Sequence, residues 1–157
     1  MEEKVYESAA SAVLAAVNGW PELPEGECFR FATLSEDGGL ALFPGSGSVL
    51  ESERRYVTGR ARQVRALPFT LVCRAAGLTA SRREGVAAWL EALGRYLEGL
   101  PLSGSEGRDP CLAAYPALSD GRLLAIRRQG APRLDGETAN RSETWVMEMT
   151  AKYETVV

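Results

Sequence analysis

ETWVMEMTAKYETV, residues 143–156, alternates with a period of two. Trp145, Met147, Met149, Ala151 and Tyr153 share one face, and Glu148, Thr150, Lys152 and Glu154 share the other. That pattern predicts an antiparallel strand with one face on a core and the other in water. LPFTLVCR, residues 67–74, predicts a second strand, with Phe69, Leu71 and Cys73 pointing one way and Thr70, Val72 and Arg74 the other. Pro68 cannot donate to a ladder, so it is expected at the strand's beginning or at a sheet edge.

Outward from these strands lie two helical patterns. Over residues 3–18, Val5, Ala9, Val13 and Val17 recur at i+4, with Tyr6, Ala10 and Leu14 in the adjacent row. Gly19 stops this helix, Pro21 and Pro24 prevent its continuation, and Trp20 is placed to anchor its end. Ser81 and Glu84 match a capping box, and Val86, Trp89, Leu90, Leu93 and Leu97 form the apolar face of a helix reaching about Glu98. Gly85 and Gly94 each cost that helix about 1 kcal/mol relative to Ala, so packing must hold it. Gly99 and Pro101 end it.

The rest is shorter. Cys28–Leu34 reads as a strand, Glu36–Gly39 as a turn and Leu40–Phe43 as the strand returning from it. Pro44–Ser48 is a loop, and Ser48–Arg65 is extended and polar with a bend at Gly59. Residues 44–65 are therefore expected to protrude as a hairpin or loop. Leu102–Pro110 reads as a loop, Gly121–Arg128 as a short strand around Leu124 and Ile126, and Gln129–Ser142 as a long polar excursion. With no internal repeat and no linker, residues 1–157 are expected to form one α+β domain, two helices packed on an antiparallel or mixed β-sheet.

Charge is strongly segregated. Residues 1–53 carry ten acidic side chains against Lys4 and Arg30, a sum of -8. Residues 54–83 carry eight arginines and no acid, a sum of +8, and residues 84–157 return to -3. Either the two blocks neutralise each other within one monomer, or they are complementary between copies and drive head-to-tail association that can close into a ring. On the second reading Arg54, Arg55, Tyr56, Arg60, Arg62 and Arg65 form the assembly interface. The arginines could also track phosphates, but the chain as a whole is acidic and the stripe lacks interleaved aromatics, so nucleic acid is disfavoured as the partner.

Several chemistries are excluded or weakened. The chain has no histidine, so neither a Ser-His-Asp nor a Cys-His arrangement can form within it. Cys28, Cys73 and Cys111 are isolated and odd in number, which argues against a disulfide framework and a zinc site. Cys73 reads as a buried inert thiol. The Gly-rich stretch 44–48 fits neither a dinucleotide fingerprint nor a phosphate loop. No catalytic residue, metal or cofactor is therefore expected. MEEKVYE at the start lacks the basic and apolar regions of a secretory signal, and no apolar run approaches the roughly 20 residues of a membrane helix. A soluble protein made in the cytosol, with no membrane partner, is the expectation.

Arg55–Gly59, Leu67–Arg74, the helix carrying Trp89 and Leu90, Gly121–Arg128 and the final strand with Tyr153 together resemble the minor capsid and tail-terminator (tail-completion) proteins of long-tailed bacteriophages and prophages. The resemblance spans most of the chain and rests on pattern. It implies a small tail-terminator-like domain of two helices on a sheet, with extended elements that build a ring, commonly of six copies. It further implies tail-tube and head-connector partners, a place at the virion head–tail junction after synthesis in the bacterial cytoplasm, and no catalytic residues. The alternative from the residues alone is a small cytosolic binding or enzyme domain.

Overall fold

The computed structural model describes residues 5–35, 38–45, 48–77, 79–99, 112, 114–137 and 141–157. The fold is organised by two long strands, β5 (Ala61–Ala76) and β9 (Ser142–Val156). They pair antiparallel in one unbroken register from Arg62↔Val156 to Ala76↔Ser142. Each long strand takes two partners in succession along its outer edge. β5 pairs first with β4 (Val49–Arg55) and then with β3 (Gly39–Pro44); β9 pairs with β8 (Arg133–Glu137) and then with β7 (Gly121–Arg128). The sheet is completed by β2 (Phe29–Phe31) beside β3, and by β6 (Ala117–Leu118) and β1 (Val5–Tyr6) beyond β7. The β1–β6 and β2–β3 pairs are parallel and the others antiparallel, so the sheet is mixed. With α1 (Ala9–Asn18) and α2 (Ala80–Glu98) on one face, this is the α+β architecture of two helices on a sheet.

The core follows from the period-two faces. Leu67, Phe69 and Leu71 of β5 and Met147, Met149 and Ala151 of β9 are buried against Val13 and Val17 of α1 and Leu90, Leu93 and Leu97 of α2. Trp20 sits at the helix junction, 5.1 Å from the Trp89 ring centroid and 6.4 Å from that of Tyr96. On the opposite face Ala41, Val72 and Val146 form a smaller buried cluster. The wet side predicted for the last strand is thus covered at its start, where Ser142, Thr144 and Val146 are buried; Glu143, on the helix-covered face, is buried against Arg83 of α2.

Several local expectations are corrected. The first helix begins at Ala9, not residue 3, because Ser8 adopts an extended backbone and its hydroxyl accepts from the Ser11 N–H. Val5 and Tyr6, at the head of the predicted stripe, form β1 instead. The second helix is capped by Thr79, whose hydroxyl accepts from the Arg82 N–H, so Ser81 and Glu84 lie inside it rather than forming a capping box. Residues 28–43 are not a hairpin. β2 runs parallel to β3, and the chain returns between them through Ala32 at φ 53°. The Asn18 side chain fixes β2 by accepting from the Phe29 N–H at 2.7 Å and donating to its carbonyl at 3.1 Å.

Pro68 is neither first in its strand nor on an edge strand, since β5 is paired on both sides. Its carbonyl accepts from Gly45 N–H at 2.7 Å on the β3 side. A residue's N–H and C=O point to the same edge of an antiparallel strand, so the missing donor falls where β5 changes partner from β4 to β3. The stretch 129–142 also contains β8, which a polar composition concealed. Leu102–Pro110, Cys111 and the Glu36-Asp37 part of the predicted turn lie outside the described residues.

Candidate assembly site

The six residues predicted as an interface come together at one end of the molecule. β4 and the start of β5 form a hairpin with Arg54 opposite Arg62 and Arg55 opposite Ala61. Between them, Tyr56 N–H donates to Arg60 carbonyl at 2.8 Å and Gly59 N–H to Tyr56 carbonyl at 3.0 Å, and Gly59 supplies the left-handed φ of 88° that this turn requires. Alternation places Arg54 and Arg62 on one face and Arg55 and Arg65 on the other. β4 is exposed at every one of its positions, and Val57 at the tip is fully exposed. Of the protruding segment expected over 44–65, edge strand β4 and the turn with Tyr56 and Val57 stand clear, whereas Arg62–Arg65 are paired with β9 as well as β4 and Ala61 is buried.

Its electrostatics are only partly balanced. Arg62 meets Glu154 at 3.2 Å and lies 5.9 Å from the Tyr56 ring centroid. Arg55 meets Glu53 at 3.6 Å, Arg65 donates to Gln63 at 3.1 Å, and Lys152 meets Glu51 at 3.3 Å. Arg54 and Arg60 have no acidic partner among the described residues. Arg54 directly opposite Arg62 is a like-charge cross-strand pair, which opposes hairpin formation.

Of the acidic block, Glu51 and Glu53 lie on β4 within this hairpin, while Glu22, Glu25 and Glu27 do not meet it. Among the described residues, Glu53–Arg55 is the one ion pair joining residues 1–53 to residues 54–83. Glu22, Glu25 and Glu27 lie exposed on the loop between α1 and β2, without an ion pair among the described residues. Glu27 lines a groove with Cys73, Arg74 and Ala75 from the far end of β5. At about 3.3 Å per residue, that end is roughly 40 Å from Ala61. Among the described residues, Glu22, Glu25 and Glu27 are thus far from the hairpin, although Glu27 shares its groove with Arg74 and Arg82 of the basic block.

The groove was not foreseen. It has a volume of about 540 Å³ and lies under the first half of α2, between Val86 and Trp89 on the helix and Leu40 and Cys73 on the sheet. Val86 and Trp89, read from sequence as core, are only half-buried and form its wall. Trp89 stacks on Phe29 with centroids 6.1 Å apart. Burial, with the Glu27 carboxylate adding to it, pushes the Cys73 thiol up to about 11, so it stays protonated at neutral pH. Arg74 is held by Thr144 Oγ1 at 3.0 Å and the Ser35 carbonyl at 2.9 Å. The described residues contain no group of three or more Cys, Asp or Glu able to hold a metal. No described helix is long and apolar enough to cross a membrane. No family model matches the chain, and a search of curated proteins finds no match.

Proposed function

We propose that this chain is a non-enzymatic structural protein that assembles head to tail, serving as a tail terminator or minor capsid protein in the head–tail region of a phage or prophage. The observation that supports assembly is the spacing of charge along β5: an exposed arginine hairpin at one end and, at the other, a loop whose Glu22, Glu25 and Glu27 have no ion pair among the described residues. A contact joining unlike ends is heterologous, and it closes into a ring when the rotation per copy allows. The resemblance supplies the setting, a ring at the virion head–tail junction that caps the tail tube and meets the head connector.

The test is light scattering of the purified chain across concentration and salt, with electron microscopy of the assembled fraction. Rings that dissociate as salt rises are expected, since exposed charges are screened within about 8 Å at physiological ionic strength. Replacing Arg54, Arg55, Arg60 and Arg62 by Glu leaves the core untouched and should abolish assembly and tail joining. A quadruple variant that assembles like wild type and complements a phage lacking this gene refutes the mechanism. The apolar groove favours a second reading, a small binding domain; a chain monomeric at all concentrations favours that reading over assembly.

A further inference from the structure

We infer that the hairpin tip of one copy docks into the apolar groove under α2 of the next, with Val57 directed at Val86, Trp89 and Leu40 and the flanking arginines on the loop carrying Glu22, Glu25 and Glu27. This rests on the head-to-tail reading and names its receiving surface.

Four observations converge on it. The tip presents an apolar apex, Tyr56-Val57, framed by Arg54, Arg55 and Arg60, and nothing in its own chain covers Val57. The groove is apolar inside, with Glu27 and Arg74 in its wall; the acids that face the tip's arginines are Glu27 and, on the same exposed loop, Glu22 and Glu25. Arg82 also lines it, so the tip's arginines belong on the loop side, away from α2. The two features sit at opposite ends of one strand roughly 40 Å long, so a tip cannot reach its own groove.

The fourth observation is Gly85. Glycine inside a helix costs about 1 kcal/mol, and one that persists there needs a reason. Gly94 has one: a Cβ there would stand 2.6 Å from Arg128 Cδ and 3.2 Å from Met147 Cε. Gly85 has none within its own chain, since a Cβ there meets nothing within 4 Å. It lines the groove, where a missing side chain leaves room for another backbone to approach.

The test uses two full-length variants. Val57→Asp blocks the tip and leaves the groove intact; Gly85→Arg blocks the groove and leaves the tip intact. Glu22, Glu25 and Glu27→Lys together form a second groove-side variant on an exposed loop, which keeps the test valid if the first fails to fold. Circular dichroism checks folding and sedimentation velocity reads assembly. Each variant alone should associate about 30-fold or more weakly than wild type. Mixing tip-blocked with groove-blocked chains should give a species of two chains and no larger one, because one good tip then meets one good groove. Variants that stay monomeric when mixed overturn the inference, as does a groove-blocked variant that assembles normally; the head-to-tail reading survives both. A wild-type chain monomeric at every concentration overturns the head-to-tail reading as well. If Gly85→Arg assembles normally but loses binding of anilinonaphthalene sulfonate, the groove serves a small apolar ligand and not a second copy.

Discussion

Gly94→Ala should destabilise the protein even though alanine is the better helix former. The helical gain is about 1 kcal/mol. Against it, the new methyl would stand 2.6 Å from Arg128 Cδ, 3.0 Å from its Cγ and 3.2 Å from Met147 Cε. Met147 is fully buried and has little room to yield, and overpacking of this kind costs about 1–3 kcal/mol. Arg128 can move only by leaving Glu98, whose side chain is 13% exposed, and Glu91 at 3.6 Å. Removing the cation from a largely buried carboxylate costs a further 1–3 kcal/mol or so. The net expectation is a loss of about 2 kcal/mol, or roughly 4–8 °C in Tm for a chain of this size. Gly85→Ala, on the same helix with open space around it, should instead gain about 0.5–1 kcal/mol. Urea unfolding at a concentration where the chain is monomeric measures both. A Gly94→Ala variant as stable as wild type would refute the close approach of α2 to β7, and with it the seating that fixes one wall of the groove.

Two other perturbations give distinct signatures. Asn18→Ala removes the side chain that satisfies both backbone groups of Phe29, and should cost about 1–3 kcal/mol in urea unfolding, with loss of amide protection concentrated in β2; unchanged protection there contradicts the clamp. The folded Cys73 thiol titrates near 11 against an ordinary 9.0, so the folded state holds its proton longer than the unfolded state does. Its contribution is therefore fully present below about pH 9 and is lost as pH rises to about 11, roughly 2–3 kcal/mol in all. Cys73→Ser should flatten that part of the stability–pH curve, and alkylation of Cys73 should lag that of exposed Cys28 at pH 8; equal rates contradict the burial.

What could be read in advance was whatever period and local chemistry determine. The faces of β5 and β9, the apolar stripe of α2 and the arginine cluster all follow from positions within one segment. The failures are cases where a more distant group decided the outcome. The i+4 stripe at Val5 lost to the Ser8 cap and to pairing with β6. Pro68 signals an edge in isolation, but a mid-strand change of partner accommodates it equally well. Parallel pairing of β2 with β3 depends on Asn18, ten residues or more upstream of the strand it holds. The groove draws on the α1–β2 loop, β3, β5 and α2, each contributing a few residues, and no single segment carries its pattern.

The long β5 strand is what the proposed assembly rests on. A charge block of +8 beside one of -8 would cancel in a fold that brought neighbouring segments together. Here Arg54, Arg55, Arg60, Arg62 and Arg65 are gathered in the hairpin, while residues 22–27 lie at the other end beside Arg74 and Arg82. Local acids blunt the basic end without neutralising it: Glu154 is shared between Arg62 and Arg122, and Glu53 serves Arg55, while Arg54 and Arg60 have none among the described residues. The like-charge pair Arg54–Arg62 is then a cost in the free chain that an acidic neighbour relieves. Under the proposed assembly, charge spaced along β5 gives each copy a direction, with tip to loop attractive and tip to tip repulsive. On the proposed head-to-tail contact, the expected assembly is a ring or a filament and not a symmetric dimer through the hairpin. The choice between them lies in the rotation from copy to copy, fixed by the angle between the hairpin axis and the groove under α2.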